Sequence, residues 1–203
     1  MDISTWAAFQ TAITEADNLL SIHGAVRTGR GRRFKEPSLN RAAVVFAVGA
    51  WQTFVEGSVR YFLESMEPDP SHHEDGSRNP DYLAALSAWR VVNAAATNAL
   101  GRFNTPRADE VRSLYRFVGH DPFSSWAWST GSHTTTSRAT ALKLDAWLLV
   151  RNAIAHGSGT LPDVDVLNKK PDGTRTLHKK NASSCIQFVR QLVNQTDRGL
   201  PVR

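Results

Sequence analysis

Between Ser38 and Met66 the chain carries a long apolar pattern with two sides. Leu39, Ala43, Phe46, Ala50 and Phe54 share one face of a helix, and Val44, Val48, Trp51, Val55 and Phe62 share another. The spacing predicts a single helix roughly 40 Å long at 1.5 Å per residue. Ser38, directly after Pro37, is its expected N-cap. A helix that is apolar on two sides has to lie between neighbours, so the rest of the chain must supply packing partners for it.

Most of the remaining sequence has helical periodicity too. Thr5–Ile22 places Trp6, Phe9, Ile13 and Leu20 at helix-compatible spacings. Further helices are expected over Tyr82–Leu100, over Pro106–Val118 with Thr105 as cap, over Arg138–His156, and over Lys180–Thr196. Phe123–Ser137 is rich in small hydroxyl residues and reads as a loop. Val164–Leu167 and Thr174–Leu177 flank Pro171-Asp172-Gly173 and suggest a short β-hairpin before the last helix. These elements predict one all-α domain over residues 1–203, a bundle of about six helices with that hairpin as its β-structure.

At 203 residues and 41% hydrophobic the chain is long and apolar enough for one sizeable core. No apolar run reaches the roughly 18–20 residues of a membrane-spanning helix. The N-terminus lacks the basic start and apolar stretch of a signal peptide. The single cysteine, Cys185, leaves no internal disulfide and no Cys-based zinc site. A cytoplasmic protein without a membrane partner is expected.

The net charge of +5 is unevenly spread. A basic loop over residues 24–37 holds Arg27, Arg30, Arg32, Arg33 and Lys35 against Glu36 alone. A second basic segment, the hairpin or loop over 160–180, holds Lys169, Lys170, Arg175, Lys179 and Lys180, with Asp172 the one carboxylate from Asn168 onward. Between them, the loop over 67–81 has five carboxylates and Arg78. Such patches suit a polyanion, nucleic acid first, or serve as charged surface that maintains solubility.

The helix expected over Arg138–His156 is apolar nearly all round and is expected to be mostly buried. The polar residues near its end are Arg151, Asn152 and His156, followed by the stop Gly157-Ser158-Gly159. A guanidinium there needs partners, because an unpaired buried charge is very costly. Asn152 and His156 are four apart and share a face, so the amide can orient the imidazole. Arg151 and His156 diverge by about 140° around the axis, and one helix does not aim both at one atom. The helix dipole favours imidazolium at this end, which suits proton transfer. The same three residues can equally form a structural cap over the last carbonyls.

Arg151-Asn152-Ala153-Ile154-Ala155-His156 resembles the R-x4-6-H motif of the HEPN superfamily, in the common variant with a polar residue after the arginine. Leu39–Phe46, running on through Ala50–Glu56, is similar to an early helix of the HEPN branch named for its ribonuclease L-PSP neighbours. That branch often has glutamate directly after the aromatic residue; here Gln52 follows Trp51, and Glu56 stands one turn later.

The resemblance implies a HEPN-like helical bundle. It also implies a metal-independent endoribonuclease that needs no cofactor, of the kind found in toxin–antitoxin and phage-defence systems. By the same resemblance the partners are RNA, a second copy of the chain and a cognate antitoxin or other defence component. Cleavage through RNA's own 2′-hydroxyl needs a base, an acid and a cation on the phosphorane. Two symmetric copies would bring both His156 imidazoles and both Arg151 guanidinia to one cleft. In this reading His156 is the general acid–base, Arg151 the transition-state cation and Asn152 the orienting residue, with Arg27, Arg30, Arg32, Arg33, Lys35, Lys169 and Lys170 on the RNA backbone. Some HEPN proteins carry a tyrosine two residues after the histidine, where a partner nucleotidyltransferase modifies it; Ser158 stands there in this chain, so that control is not expected. The alternatives are a catalytically inactive HEPN-like RNA-binding or adaptor module, and a purely structural dimer.

Other chemistry is thinner. Trp126 and Trp128 can stack on bases or fold back onto the core, and the core is favoured. His72-His73-Glu74-Asp75 lacks the spacing of a metal site, so no metal ligand is assigned. Ser124, Ser125 and Cys185 have no paired base nearby in sequence, and Gly29-Arg30-Gly31 lacks the strand and helix start of a phosphate loop.

Overall fold

The computed structural model describes residues 3–25, 36–72, 76–130 and 133–200. Among them are six α-helices: α1 Ile3–Ala25, α2 Glu36–Ser65, α3 Pro80–Arg102, α4 Ala108–Arg116, α5 Ser137–Ala155 and α6 Lys179–Gly199. Two small antiparallel pairs join them, β1 Trp128–Thr130 with β2 His133–Thr135, and β3 Asn168–Lys169 with β4 Arg175–Thr176. The mostly helical bundle expected from the periodicity is what the chain forms.

Helix α2 lies at the centre, packed along α1 and against α5 and α6. Both of its apolar faces are used: Ala43, Ala50 and Phe54 are buried on one, and Val44, Val48, Trp51 and Val55 on the other. The exceptions are Phe46, 46% exposed, and the half-buried Leu39. At Gly57 the close approach of α1 leaves no room for a side chain, because a Cβ there would lie 2.8 Å from Cγ2 of Thr5. By length and composition α2 does reach what a membrane-crossing helix needs, contrary to the sequence reading. In this fold its apolar residues are spent on protein packing instead.

The core is aromatic, and its polar edges are paired. Trp51 stacks on Phe54 and meets Trp126 edge to face. The Trp51 indole donates to the Pro106 carbonyl at 3.2 Å, and the Trp126 indole donates to Oγ1 of Thr196 at 2.9 Å. The buried Tyr115 hydroxyl bonds Oγ of Ser58 at 2.6 Å. Burial pushes the Tyr115 phenol and the Cys185 thiol well up, so both stay neutral.

Several boundaries differ from expectation for identifiable reasons. Helix α2 begins at Glu36, placing Pro37 in its first turn and Ser38 already inside. Helix α4 starts at Ala108 with Arg107 as N-cap, not at Pro106 behind Thr105. The Thr105 hydroxyl is turned to Asn104, and the Ala108 amide donates to Asp145 on α5 instead. The expected loop over 123–137 contains a 3-10 turn, Pro122–Trp126, and the β1–β2 pair, where Ser129 and Thr134 exchange a hydroxyl bond at 3.0 Å. Strands β3 and β4 are shorter than expected and β3 comes later in the chain, because Leu167 and Leu177 turn inward as core anchors beside them. Helix α5 is not buried all round: Leu142 is 63% exposed and Leu149 52%.

Candidate active site

Helix α5 is fixed at both ends, and this determines where its last turn points. Thr136 caps the N-terminus, its hydroxyl accepting from the Ala139 amide at 3.2 Å. At the other end Ser158 N–H donates to the Ala153 carbonyl and Gly157 N–H to that of Ile154. That pair of bonds is a Schellman stop, and it requires the left-handed φ of +66° that Gly157 adopts. His156 is therefore the C-cap residue, exposed where the helix ends.

Arg151 is half-buried one turn earlier, and its guanidinium is held from three sides. Nη1 donates to Oδ1 of Asn152 at 2.9 Å. Nη2 donates to Oε1 of Gln52 at 3.3 Å and to the Asn104 carbonyl at 3.2 Å. Gln52 is itself clamped, its Nε2 donating to Glu56 at 2.8 Å and to the Phe103 carbonyl at 2.9 Å. Helix α2, the connection from α3 to α4, and α5 thus converge on one arginine. Among the described residues every acceptor touching the guanidinium is neutral, and the nearest carboxylate in this chain of bonds, Glu56, is one step removed behind Gln52. The cation keeps its full charge while its orientation is fixed. Among the described residues, its Nε–H and one Nη1 hydrogen have no acceptor.

The amide of Asn152 serves Arg151, not His156. Only backbone links Asn152 to His156, through the His156 N–H and the Asn152 carbonyl at 2.9 Å. No described residue hydrogen-bonds the His156 imidazole. The Asn152 side chain therefore contacts the arginine, and not the imidazole that it was expected to orient. Asn104 and Phe103 were missed in sequence, since they contribute backbone carbonyls that no side-chain pattern marks.

Lys169 and Lys170 are exposed on the β3–β4 hairpin. Arg27, Arg30, Arg32, Arg33 and Lys35 lie outside the described residues. Trp126 is fully buried, and Trp128 is half-buried with its ring tilted against Phe188, so neither is a free stacking platform. His72 is exposed in a 3-10 turn, while His73, Glu74 and Asp75 lie outside the described residues. Among the described residues no three His, Cys, Asp or Glu side chains come together as a metal site would need.

The chain matches the family described as RiboL-PSP-HEPN over residues 11–200. No curated protein and no solved structure matches it.

Proposed function

The chain belongs to the RiboL-PSP-HEPN family, and from that premise we propose that it is a metal-independent endoribonuclease whose active site forms between two copies. Membership supports an RNA-related, nuclease-type role. The observation that carries the finer reading is the Arg151 fork, fixed by neutral acceptors while keeping its charge, one turn from an exposed imidazole.

The chemistry follows from those groups. One His156 takes the proton of the 2′-hydroxyl, whose oxygen attacks the adjacent phosphorus. The second His156 gives a proton to the departing 5′-oxygen. Arg151 donates to the non-bridging oxygens as charge builds on the phosphorane. The products are a 2′,3′-cyclic phosphate and a free 5′-hydroxyl. Leu149, two residues before Arg151, and Leu142, two turns earlier on the same face, offer exposed apolar surface that a second copy would cover. The role as a toxin or phage-defence effector, with an antitoxin or other defence partner, rests on the family and not on the geometry.

A second reading is a HEPN-like RNA-binding module without catalysis. One departure favours it, Gln52 in the position where this branch often has glutamate. The experiment that separates the two is RNA cleavage in EDTA by the purified protein, wild type beside His156→Ala, with product ends analysed. Cyclic phosphate from the wild type alone supports the nuclease. No cleavage of total RNA, tRNA or single-stranded RNA by a folded dimer supports the binding module.

A further inference from the structure

A groove of about 580 Å³ opens between the start of α2, the segment that follows His156, and the β3–β4 hairpin. Its walls include Arg41, Thr160, Lys170, Thr174 and His178. Gly159, also in the lining, is three residues beyond His156, and three extended residues span at most about 11 Å. The lining therefore comes within about 11 Å of the candidate base along the chain.

Among the groove's lining side chains three cations, Arg41, Lys170 and Arg175, face one carboxylate, Asp163. Arg175 and Asp163 both line it and bond each other at 2.5 Å, and Arg175 also reaches Asp165, outside the lining, at 3.4 Å, so this cation is fully used. The Arg175 guanidinium holds the Asp163 carboxyl below the usual carboxylate range, so the pair is ionised. Asp172 stands beside Lys170 with Oδ1 turned to the amide and hydroxyl of Thr174. Arg41 has no ion pair or hydrogen bond from its side chain to any described residue, and it is exposed. The N-termini of α2 and α6 open on the same space and add the positive ends of two helix dipoles. The hydroxyl of Thr160 adds a neutral donor, while that of Thr176 is engaged with the Asn168 carbonyl and the His178 ring.

We propose that this groove is the track for the phosphodiester backbone of single-stranded RNA, leading the strand to His156, with Arg41 and Lys170 as its phosphate contacts. The proposal rests on the reading of the protein as RNA-acting. Single-stranded RNA is the fitting class because in-line attack by a 2′-hydroxyl needs a nucleotide free to leave A-form geometry. Cations, hydroxyls and helix ends recognise phosphate and sugar without reading bases, so the track is expected to tolerate sequence.

The test is fluorescence-anisotropy titration of a labelled oligouridine with full-length His156→Ala protein, which does not consume the probe. The same titration is run with Arg41→Ala and Lys170→Ala added to it, and with Arg90→Ala and Arg102→Ala added as a control of equal charge loss on α3. The groove variant is expected to bind at least tenfold more weakly, with a salt slope shallower by about 1.4 for two lost single-strand phosphate contacts. The control is expected to match the parent. Equal weakening of groove variant and control, unchanged binding by the groove variant, or no binding by the parent at low salt each overturns the track. Cleavage of unlabelled RNA by the wild type is scored separately. Groove-dependent binding without cleavage keeps the track and removes the nuclease, whereas cleavage with groove-independent binding does the reverse.

Discussion

Gln52 on α2 and Arg151 on α5 stand 99 residues apart in sequence, and Nη2 of the arginine donates to Oε1 of the glutamine at 3.3 Å. The glutamine's other end donates to Glu56 and to the Phe103 carbonyl, so both halves of the amide are in use.

This makes the amide itself the requirement. Gln52→Glu would set a carboxylate against Glu56 and a carbonyl, leaving acceptors facing acceptors at a cost of about 1–3 kcal/mol. The variant is expected to melt lower. Adding Glu56→Gln restores a donor between the two side chains, and stability is expected to recover with it. A double variant no more stable than Gln52→Glu alone would remove the proposed clamp.

Much of the helical frame was legible because a 3.6-residue period is a local signal, strongest in α2, α5 and α6. The start of α4 was not, since its first amide is satisfied by Asp145, 37 residues later in sequence. The β1–β2 pair was hidden because Ser and Thr mark loops and strands alike, and its register depends on pairing across the turn. At the site, Arg151 and His156 stood out by their place at the end of an apolar helix. Asn152 was assigned to the wrong neighbour because helix spacing favours a partner four residues on. The long arginine arm instead folds back to it, drawn by Gln52 and the Asn104 carbonyl.

Acid sensitivity should trace in part to His120. Its Nε2 is buried without a hydrogen-bond partner among the described residues. Burial lowers its pKa, with Asp121 opposing. Above the unfolded value of about 6.5 both states are neutral and the group contributes nothing. As pH falls through that value the unfolded chain takes up the proton first, so stability drops. Thermal melting between about pH 7.5 and pH 5.5 is expected to show a falling Tm, and His120→Phe is expected to flatten the fall. The same slope in both proteins would exclude His120 as the cause.

Trp126 is a core residue, and its replacement should act on stability before function. Trp126→Ala removes a fully buried ring and leaves Oγ1 of Thr196 without its indole donor. The expected cost is about 3–5 kcal/mol, or roughly 6–20 °C in Tm for a chain of this size. Trp128→Ala, at a half-buried ring, should cost less. Loss of RNA binding by Trp126→Ala at an unchanged Tm would instead assign the ring to the nucleic acid.

A cleft shared by two copies has a consequence in mixed samples. If cleavage needs both His156 side chains, one as base and one as acid, a dimer with one wild-type and one His156→Ala chain is inactive. Both side chains are exposed at a helix end, so the substitution should leave folding and pairing unchanged. Co-refolding the two proteins in equal amounts pairs them at random, and wild-type homodimers are then about one in four of all dimers. Activity is expected to fall to about a quarter of the undiluted value, following the square of the wild-type fraction. A fall to about half, linear in that fraction, means that each chain carries its own complete site. Arg151 and His156 would then have to meet within one chain despite diverging around α5, and the two-copy mechanism would be wrong.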